Sequence, residues 1–260
     1  MSRDMLIGYT GLVGSALREQ RRFESLYNTK NVADISNELH DLAICCAAPA
    51  VKWLANRQAQ RDRDNILALV ESLKRIKCRK FILISTVDVF KHPNCVDELT
   101  KVEKGNLDPY GLHRRELEEA VIELFPNALI VRLPGLVSNG LKKNVIYDLA
   151  NNNNLGNCDL NAVYQFYPLS RLWSDIELCM KHELTLAHLT AEPIQVKRIV
   201  ELIFPSLLAS LSGNKNSVIY DFRTIYGRLF DGSDHYQCFE HESLAAIDLY
   251  KLHCHKALVP

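Results

Sequence analysis

The chain has 260 residues, of which 47% are hydrophobic and 24% are charged, the composition of an ordinary globular protein. Lysine plus arginine equal aspartate plus glutamate at 31 each, so no global basic charge would attract nucleic acid or an anionic membrane. No apolar run approaches the ~20 residues of a membrane span. Asp4 and three glycines interrupt the short apolar run at the start, which argues against a signal peptide.

The eight cysteines are scattered along the chain, and none forms a C-x-x-C pair. Scattered cysteines are typical of a reducing cytoplasm rather than of a disulfide framework, so we expect a cytoplasmic protein. His253, Cys254 and His255 form a short H-C-H run near the C-terminus. The run lacks the ligand number and spacing of a metal site, and no metal is expected.

Strand-like and helix-like segments alternate along the first half of the chain, which predicts an α/β fold with a doubly wound parallel sheet. The predicted strands are 5–7, 23–27, 41–47, 80–85 and 128–133, and the predicted helices are 15–22, 65–76 and 110–124. The rhythm then loosens: helices are predicted at 173–182, 196–204 and 243–253, and a returning strand at 184–189.

Three glycines, Gly8, Gly11 and Gly14, lie between the first predicted strand and the first predicted helix. In a nucleotide-binding loop one glycine permits a tight turn, another lets the backbone approach a pyrophosphate, and a third lets the helix pack near the strand. The helix N-terminus supplies free N–H groups and a partial positive charge. The spacing is G-x-x-G-x-x-G rather than G-x-G-x-x-G, so a plain strand-to-helix turn stays open, but the position at the first βα junction favours a Rossmann-type cofactor loop.

The segment after the second predicted strand bears on which cofactor this loop would hold. An acidic residue usually binds the adenine ribose of NAD about 20 residues beyond the first glycine. Here the sequence has Asn28, Thr29 and Lys30, which can hydrogen-bond and neutralise a 2′-phosphate. The segment therefore favours NADP, and the nearby Asp34 keeps NAD open.

A second set of residues has the pattern of an acid/base site. Thr86 ends a buried strand, at the sheet edge where such folds bind ligands, and Tyr110 opens a helix after Asp108-Pro109. Arg114 shares the helix face of Tyr110 at i+4, and a cation there would lower the tyrosine pKa. Such a phenol can exchange a proton with a carbonyl or alcohol. The structural alternative is an amphipathic helix in which Arg114 pairs with Glu118, and Arg115 pairs with Glu119.

Taken in order, these segments resemble the extended short-chain dehydrogenase/reductases, a family of nucleotide-sugar epimerases, dehydratases and reductases. The matching pieces are GYTGLVG, CCAAPA, Asn65, ISTVDVF, the Y-x-x-x-R helix and VRLPGLVSNGLKKN. The compact gap between Tyr27 and Asp41 is most similar to the dTDP-4-dehydrorhamnose reductase branch. The resemblance implies a Rossmann domain at 1–190, with a substrate-facing insertion at about 136–165, and a small C-terminal α+β substrate lobe at 191–260.

The resemblance also implies roles by position. Thr86 would hydrogen-bond the reacting oxygen, Tyr110 would be the acid/base, and Arg114 stands where the family has lysine. The residues that the resemblance and the glycine loop assign to the cofactor are Gly8, Thr10, Gly11, Leu12, Val13, Gly14, Asn28, Thr29, Lys30, Ala47, Ala48, Pro49, Leu133 and Pro134. Those assigned to the substrate are Asp88, Asn139, Lys142, Lys143 and Asn144, with the lysines reaching a diphosphate.

The departures from the family pattern narrow the expected reaction. Arg114 keeps the positive charge of the family lysine, but its longer, planar fork can miss the ribose hydroxyls. Val87 follows Thr86 where sugar dehydratases have an acid, which disfavours a 4,6-dehydratase. We therefore expect an NADP(H)-dependent reductase or epimerase acting on a nucleotide-activated sugar, with no nucleic-acid or membrane partner and with a homodimer left open. The alternative is a non-catalytic dinucleotide-binding or redox-sensing protein with a degenerate Tyr-x-x-x-Arg site.

Overall fold

The computed structural model describes residues 3–35 and 37–256, with side chains up to residue 254, so the side chain of His255 in the H-C-H run lies outside it. The strands are β1 (Asp4–Ile7), β2 (Ser25–Tyr27), β3 (Leu39–Cys45), β4 (Lys77–Thr86), β5 (Asn94–Val96), β6 (Leu129–Leu133), β7 (Gly135–Val137), β8 (Val163–Tyr164), β9 (Phe166–Pro168), β10 (Leu186–His188), β11 (Ile194–Gln195) and β12 (Asp221–Phe222). The helices are α1 (Leu12–Gln20), α2 (Lys52–Arg57), α3 (Ala59–Leu73), α4 (Pro109–Leu124), α5 (Val145–Ala150), α6 (Leu172–Lys181), α7 (Val196–Ile203) and α8 (Glu240–Lys256).

The chain divides into two compact units. The first comprises the described residues of Met1–Lys91, Glu98–Leu133 and Leu172–His188. The second comprises those of His92–Asp97, Pro134–Arg171 and Leu189–Pro260. The segment at 136–165 therefore belongs to the second unit, and the strand and helix at 172–188 belong to the first.

The first unit is built on a parallel sheet of order β10-β6-β4-β3-β1-β2. The strand order reverses at β1, whose neighbours β2 and β3 lie on opposite sides. Ile7 at the end of β1 is in register with Tyr27 of β2 and Cys45 of β3, so the carboxyl ends of these strands are level. In open α/β sheets this reversal is the place where ligands bind, outside the carboxyl ends. The predicted doubly wound α/β fold is confirmed.

Helices α3 and α4 pack on one face of this sheet through an apolar cluster. Ile66 and Leu73 of α3 and Leu117 and Val121 of α4 are almost fully buried against strand residues such as Phe81. Burying one such side chain contributes about 1.5–3 kcal/mol. These apolar residues recur at helical intervals along the chain, and this periodicity predicted both helices from the sequence.

The helical region after β3 begins earlier than the predicted 65–76. It runs from Lys52 as α2 and from Ala59 as α3. The inward side chain of the first turn of α3 is the charged Asp62, which is 5% exposed. Because a charge occupies a core-facing position, the apolar periodicity that predicts a helix is missing there.

The second unit is made of short strand pairs and helices. β7 pairs in parallel with β9, β8 pairs antiparallel with β11, and β5 pairs in parallel with β12. The buried amide of Gln165 donates to the carbonyls of Ala191 and Phe222 at 2.6 and 2.7 Å and accepts from the Phe222 N–H at 2.7 Å. Strands of two or three residues carry too little periodicity to be predicted from sequence, and none of these was predicted.

None of the helices described here is long and apolar enough to cross a bilayer. Among the described residues, no group of three or more histidine, cysteine or acidic side chains is arranged to hold a metal ion.

Candidate active site

The turn after β1 forms a backbone cradle that depends on glycine at two positions. Gly8 has φ +89°, and a Cβ there would lie 2.7 Å from the carbonyl of Cys46 and 2.8 Å from the Cα of Ala47. A Cβ at Gly14 would lie 2.2 Å from the carbonyl oxygen of Gly8. The first glycine therefore permits the turn beside β3, and the third lets α1 approach the strand closely.

The middle glycine leaves the start of α1 open. Gly11 is the residue before α1, and a Cβ there would meet only the Gly8 carbonyl oxygen at 3.4 Å. The first-turn N–H groups of a helix, here those of Leu12 and Val13, have no partner within the helix and carry its positive end. Thr10 and Gly11 are exposed beside them. The arrangement fits a pyrophosphate, which the N–H groups of a helix N-terminus bind.

The residues after β2 lie at the same sheet edge as this cradle. The N–H of Gly8 donates to the Tyr27 carbonyl at 2.7 Å, which holds the two strand ends together. The side-chain oxygen of Asn28 accepts from the N–H of Lys30 at 2.8 Å, so the segment turns back on itself. Thr29 and Lys30 are exposed. The segment thus presents hydroxyl and ammonium groups and no carboxylate where an adenine ribose would lie.

The loop after β3 runs beside the cradle. Ala47, Ala48 and Pro49 are partly exposed, and Ala47 is the backbone that a Cβ on Gly8 would strike. On the other side of the sheet centre, Thr86 at the end of β4 is in register with Leu133 at the end of β6. These predicted cofactor and substrate contacts in the first unit therefore share one sheet edge.

Thr86 and Asp88 form a small turn after β4. The N–H of Asp88 donates to Thr86 Oγ1 at 3.2 Å, and Asp88 Oδ1 lies 2.6 Å from Lys52 Nζ. A Cβ at Gly111, next to Tyr110, would lie 2.1 Å from the Asp88 carbonyl oxygen. The N-terminus of α4 therefore packs directly on this turn.

Tyr110 lies in the first turn of α4 and is 8% exposed. Its N–H donates to Asn56 Oδ1 of α2 at 2.9 Å. Burial raises the pKa of the Tyr110 hydroxyl, and Arg114 only partly offsets this. Arg114 lowers the tyrosine pKa as expected, but desolvation of the phenolate outweighs the attraction of the cation, so the pKa lies above its ordinary value.

Arg114 is turned away from the helix surface and held in a buried ion pair. Its guanidinium lies 4.0 Å from the centre of the Tyr110 ring and makes two contacts with Asp62, one of them at 2.9 Å. It also donates to the carbonyls of Pro49 and Tyr110. The side chains of Arg114 and Asp62 are 3% and 4% exposed. The fork thus makes four contacts with three protein groups, and its charge faces the ring of Tyr110.

The pairing of Arg114 with Glu118 that the helical spacing favoured is wrong. Glu118 is fully buried and accepts from Arg132 at 2.7 and 2.9 Å and from Ser85 Oγ at 2.6 Å. Arg115 makes ion pairs with both Glu118 and Glu119, at 2.9 and 3.3 Å. Glu118 is paired with Ser85 of β4 and Arg132 of β6 instead. Helix spacing alone cannot reveal such tertiary partners, so it misassigned the pair.

Sequence reasoning missed three polar residues around Tyr110. Asp62 pairs with Arg114, Asn56 holds the Tyr110 backbone, and Lys52 pairs with Asp88. All three come from α2 and α3, where no helix was predicted at these positions. Lys52 and Asn56 are four residues apart, which is the one signal in the sequence that could have placed them on a common helix face.

The remaining predicted site residues belong to the second unit. Asn139, Lys142 and Lys143 are exposed, and Pro134 is buried. Asn144 has φ +98° and caps α5: its Oδ1 accepts from the N–H groups of Ile146 and Tyr147 at 3.0 and 3.1 Å. Its Nδ2 donates to the Leu136 carbonyl at 3.0 Å, so the side chain of Asn144 is occupied by its own loop.

No family model and no curated protein sequence matches this chain. Solved structures do match it over nearly its whole length. RMD from Pseudomonas aeruginosa, solved with NADPH, superimposes with a TM-score of 0.72 at 18% identity, over 96% of this chain and 99% of that one. A dTDP-4-dehydrorhamnose reductase from Clostridium acetobutylicum gives 0.72 at 17% identity, over 95% and 98%.

A UDP-galactose 4-epimerase superimposes with a TM-score of 0.74 at 15% identity, over 98% of this chain and 99% of that one. At such identities the likeness establishes the fold, and a fold hosts many functions. The chain therefore has the fold of the extended short-chain dehydrogenase/reductases, as the sequence resemblance implied.

Proposed function

We propose that the protein is an NADP(H)-dependent oxidoreductase that acts on a nucleotide-activated sugar, with Tyr110 as its acid/base. The observation that carries this proposal is the glycine cradle, where a Cβ at Gly8 or Gly14 would overlap backbone atoms. The cradle lies where the strand order reverses in a fold shared with nucleotide-sugar reductases and epimerases. Such a cradle and a helix N-terminus fit the pyrophosphate of a dinucleotide.

The cofactor assignment favours NADP. Asn28, Thr29 and Lys30 follow β2 without a carboxylate, and Lys30 offers a cation to a 2′-phosphate. The similar structures were solved with NADPH, NADP or NAD, which keeps NAD as the second choice. When bound, the cofactor supplies or accepts a hydride.

Two residues of the chain would hydrogen-bond and protonate the reacting oxygen of the substrate. Thr86 Oγ would hydrogen-bond the carbonyl oxygen, and Tyr110 would give it a proton. Since burial raises the pKa of Tyr110, its hydroxyl is protonated at neutral pH. A protonated phenol can act as the acid of a ketone reduction.

The substrate class follows from the resemblance and from the exposed lysines of the second unit. Lys142 and Lys143 would bind a diphosphate, with Asn139 and Asp88 contacting the sugar. Asn144 would orient this loop through its cap on α5. We place the protein in the cytoplasm, where nucleotide sugars and reduced cysteines are both found.

The test is turnover of nucleotide-activated keto sugars with NADPH, in the wild-type protein and in Tyr110→Phe. We expect Tyr110→Phe to lose at least about 100-fold in kcat, because proton donation is removed. Its Kd for NADPH should stay within about twofold, because the hydroxyl is not part of the cradle. Equal turnover by the two proteins would refute the role of Tyr110.

A second candidate function is favoured by the buried pairing of Arg114. With its fork contacting Asp62 and two backbone carbonyls, Arg114 is poorly placed for the ribose contact of the family lysine. A non-catalytic dinucleotide-binding or redox-sensing protein could lack this ribose contact. It would bind NADPH equally well with Tyr110 or Phe at this position and would turn over no sugar.

A further inference from the structure

One face of α2 contacts both halves of the candidate acid/base site. Lys52 and Asn56 are four residues apart on this helix and therefore share a face. Asn56 Oδ1 accepts from the Tyr110 N–H at 2.9 Å, and Lys52 Nζ lies 2.6 Å from Asp88 Oδ1. This helix face thus holds the backbone of Tyr110 at one end and an ammonium group at the other.

Asp88 brings that ammonium group to the start of α4. The backbone beside Tyr110 packs on Asp88, since a Cβ at Gly111 would come within 2.1 Å of the Asp88 carbonyl oxygen. The N–H of Asp88 donates to Thr86 Oγ1 at 3.2 Å. Besides burial and Arg114, which act more strongly, Asp88 raises the pKa of the Tyr110 hydroxyl and Lys52 lowers it.

Two cation–carboxylate pairs, Arg114–Asp62 and Lys52–Asp88, therefore lie near the first turn of α4, and their side chains differ in how far they are buried. The Arg114–Asp62 side chains are 3% and 4% exposed, and the guanidinium also donates to two backbone carbonyls. The Lys52–Asp88 side chains are 45% and 19% exposed. A half-exposed ammonium on a flexible stem can move toward a negative charge as that charge forms, whereas a buried, forked guanidinium is fixed.

We propose that Lys52, in its ion pair with Asp88, is a cation that assists Tyr110 during proton transfer. This inference rests on the proposed oxidoreductase function. As the carbonyl carbon receives a hydride, the Tyr110 hydroxyl gives its proton to the carbonyl oxygen and is left as a phenolate until water reprotonates it. A nearby ammonium group favours that phenolate, the effect that the resemblance assigns to the lysine at the Arg114 position.

The direct test is titration of Tyr110 in the free protein by NMR of ring-labelled tyrosine, with Tyr110→Phe identifying the signal. We expect Lys52→Met to raise the pKa of Tyr110 by about half a unit to one unit, a threefold to tenfold lower ionised fraction. Asp88→Asn should lower it, because a negative charge is removed. Lys52→Arg should keep the wild-type value.

The matched control is Lys104→Met. Lys104 is 50% exposed and pairs with Glu119 of α4 at 3.0 Å, so its loss removes a similar surface pair, from the helix that carries Tyr110. The tyrosine titration of this variant should equal that of the wild type. Circular dichroism of each variant would verify that the fold is retained over the titrated range.

Turnover of a nucleotide-activated keto sugar separates this inference from the proposed function. We expect Lys52→Met to lose threefold to tenfold in kcat with NADPH affinity retained, and Lys52→Arg to recover most of it. If Tyr110→Phe abolishes turnover while Lys52→Met matches Lys104→Met in titration and kcat, Lys52 has no such role and the oxidoreductase stands. If Tyr110→Phe retains full turnover, the proposed function and the role of Lys52 fail together.

Discussion

Gly14 is the residue at which the cradle has the least room for a side chain. A Cβ there would lie 2.2 Å from the Gly8 carbonyl oxygen, so α1 would have to move away from β1. We expect Gly14→Ala to cost about 2–3 kcal/mol of unfolding free energy and to weaken NADPH binding. Chemical denaturation and a binding titration would measure the two effects.

The control for this substitution is Gly105→Ala, because a Cβ at Gly105 would meet nothing within 4 Å. Its unfolding free energy should stay within about 1 kcal/mol of the wild type. If Gly14→Ala behaved like Gly105→Ala, the close packing of α1 on the strand would not exist as described.

Lys30 is the residue that would choose between the two cofactors. Reversing its charge in Lys30→Glu should weaken NADPH binding about tenfold and leave NADH binding unchanged or improved, since a carboxylate repels a 2′-phosphate and accepts from a ribose hydroxyl. The readout is the ratio of the two Kd values. Lys215→Glu, which makes the same charge change at an exposed position of the second unit, should leave that ratio alone.

At the scale of elements, α3 and α4 are joined by a buried charge cluster as well as by apolar packing. Asp62 of α3 accepts from Arg114 and lies 2.8 Å from His113 Nδ1, both of α4. Burial raises the pKa of Asp62, but the hydrogen bonds from Arg114 and His113 outweigh it and leave the pKa below its ordinary value of 3.8. Removing one member leaves the other charge buried and unpaired.

This cluster makes the α3–α4 junction sensitive to acid. Because the folded-state pKa of Asp62 is depressed, its contribution to stability is fully present above the unfolded value and is lost as pH falls below about 4. Asp62→Asn should therefore flatten the fall in unfolding free energy between neutral and acidic pH. Urea denaturation across that range measures the slope, and an unchanged slope would contradict the pairing.

Arg114→Met tests the same junction at neutral pH. It leaves the Asp62 carboxylate buried beside α4, and we expect a loss of about 3–5 kcal/mol of unfolding free energy. Arg63→Met is the neighbouring control, because Arg63 is 51% exposed and pairs with Glu116 of α4 at 3.2 Å. Its loss should be about 1 kcal/mol or less.

At the scale of the whole molecule, the first unit was largely predictable from sequence. The run around Ile44 and that around Ile82 are apolar enough to specify strands without help from tertiary structure. The three glycines could be recognised as a strand-to-helix turn because all of them lie in one local segment of the chain. The resemblance supplied the order of these pieces, and the structure agrees with it.

The parts that were not predicted depend on contacts distant in sequence. Lys52 reaches Asp88 across 36 residues, and Arg114 reaches Asp62 across 52. Local spacing cannot reveal such pairs, and it favoured Glu118 as the partner of Arg114 instead. The sequence did not reveal that burial outweighs Arg114 and raises the Tyr110 pKa, because desolvation is set by tertiary packing.

The central claim is that the glycine cradle holds a reduced dinucleotide and that NADPH is preferred. The most direct measurement is a fluorescence titration of the purified protein with NADPH and, in parallel, with NADH. We expect saturable binding of NADPH, with NADH binding at least about tenfold weaker. No binding of either dinucleotide would contradict it and leave the three glycines as a turn in a shared fold.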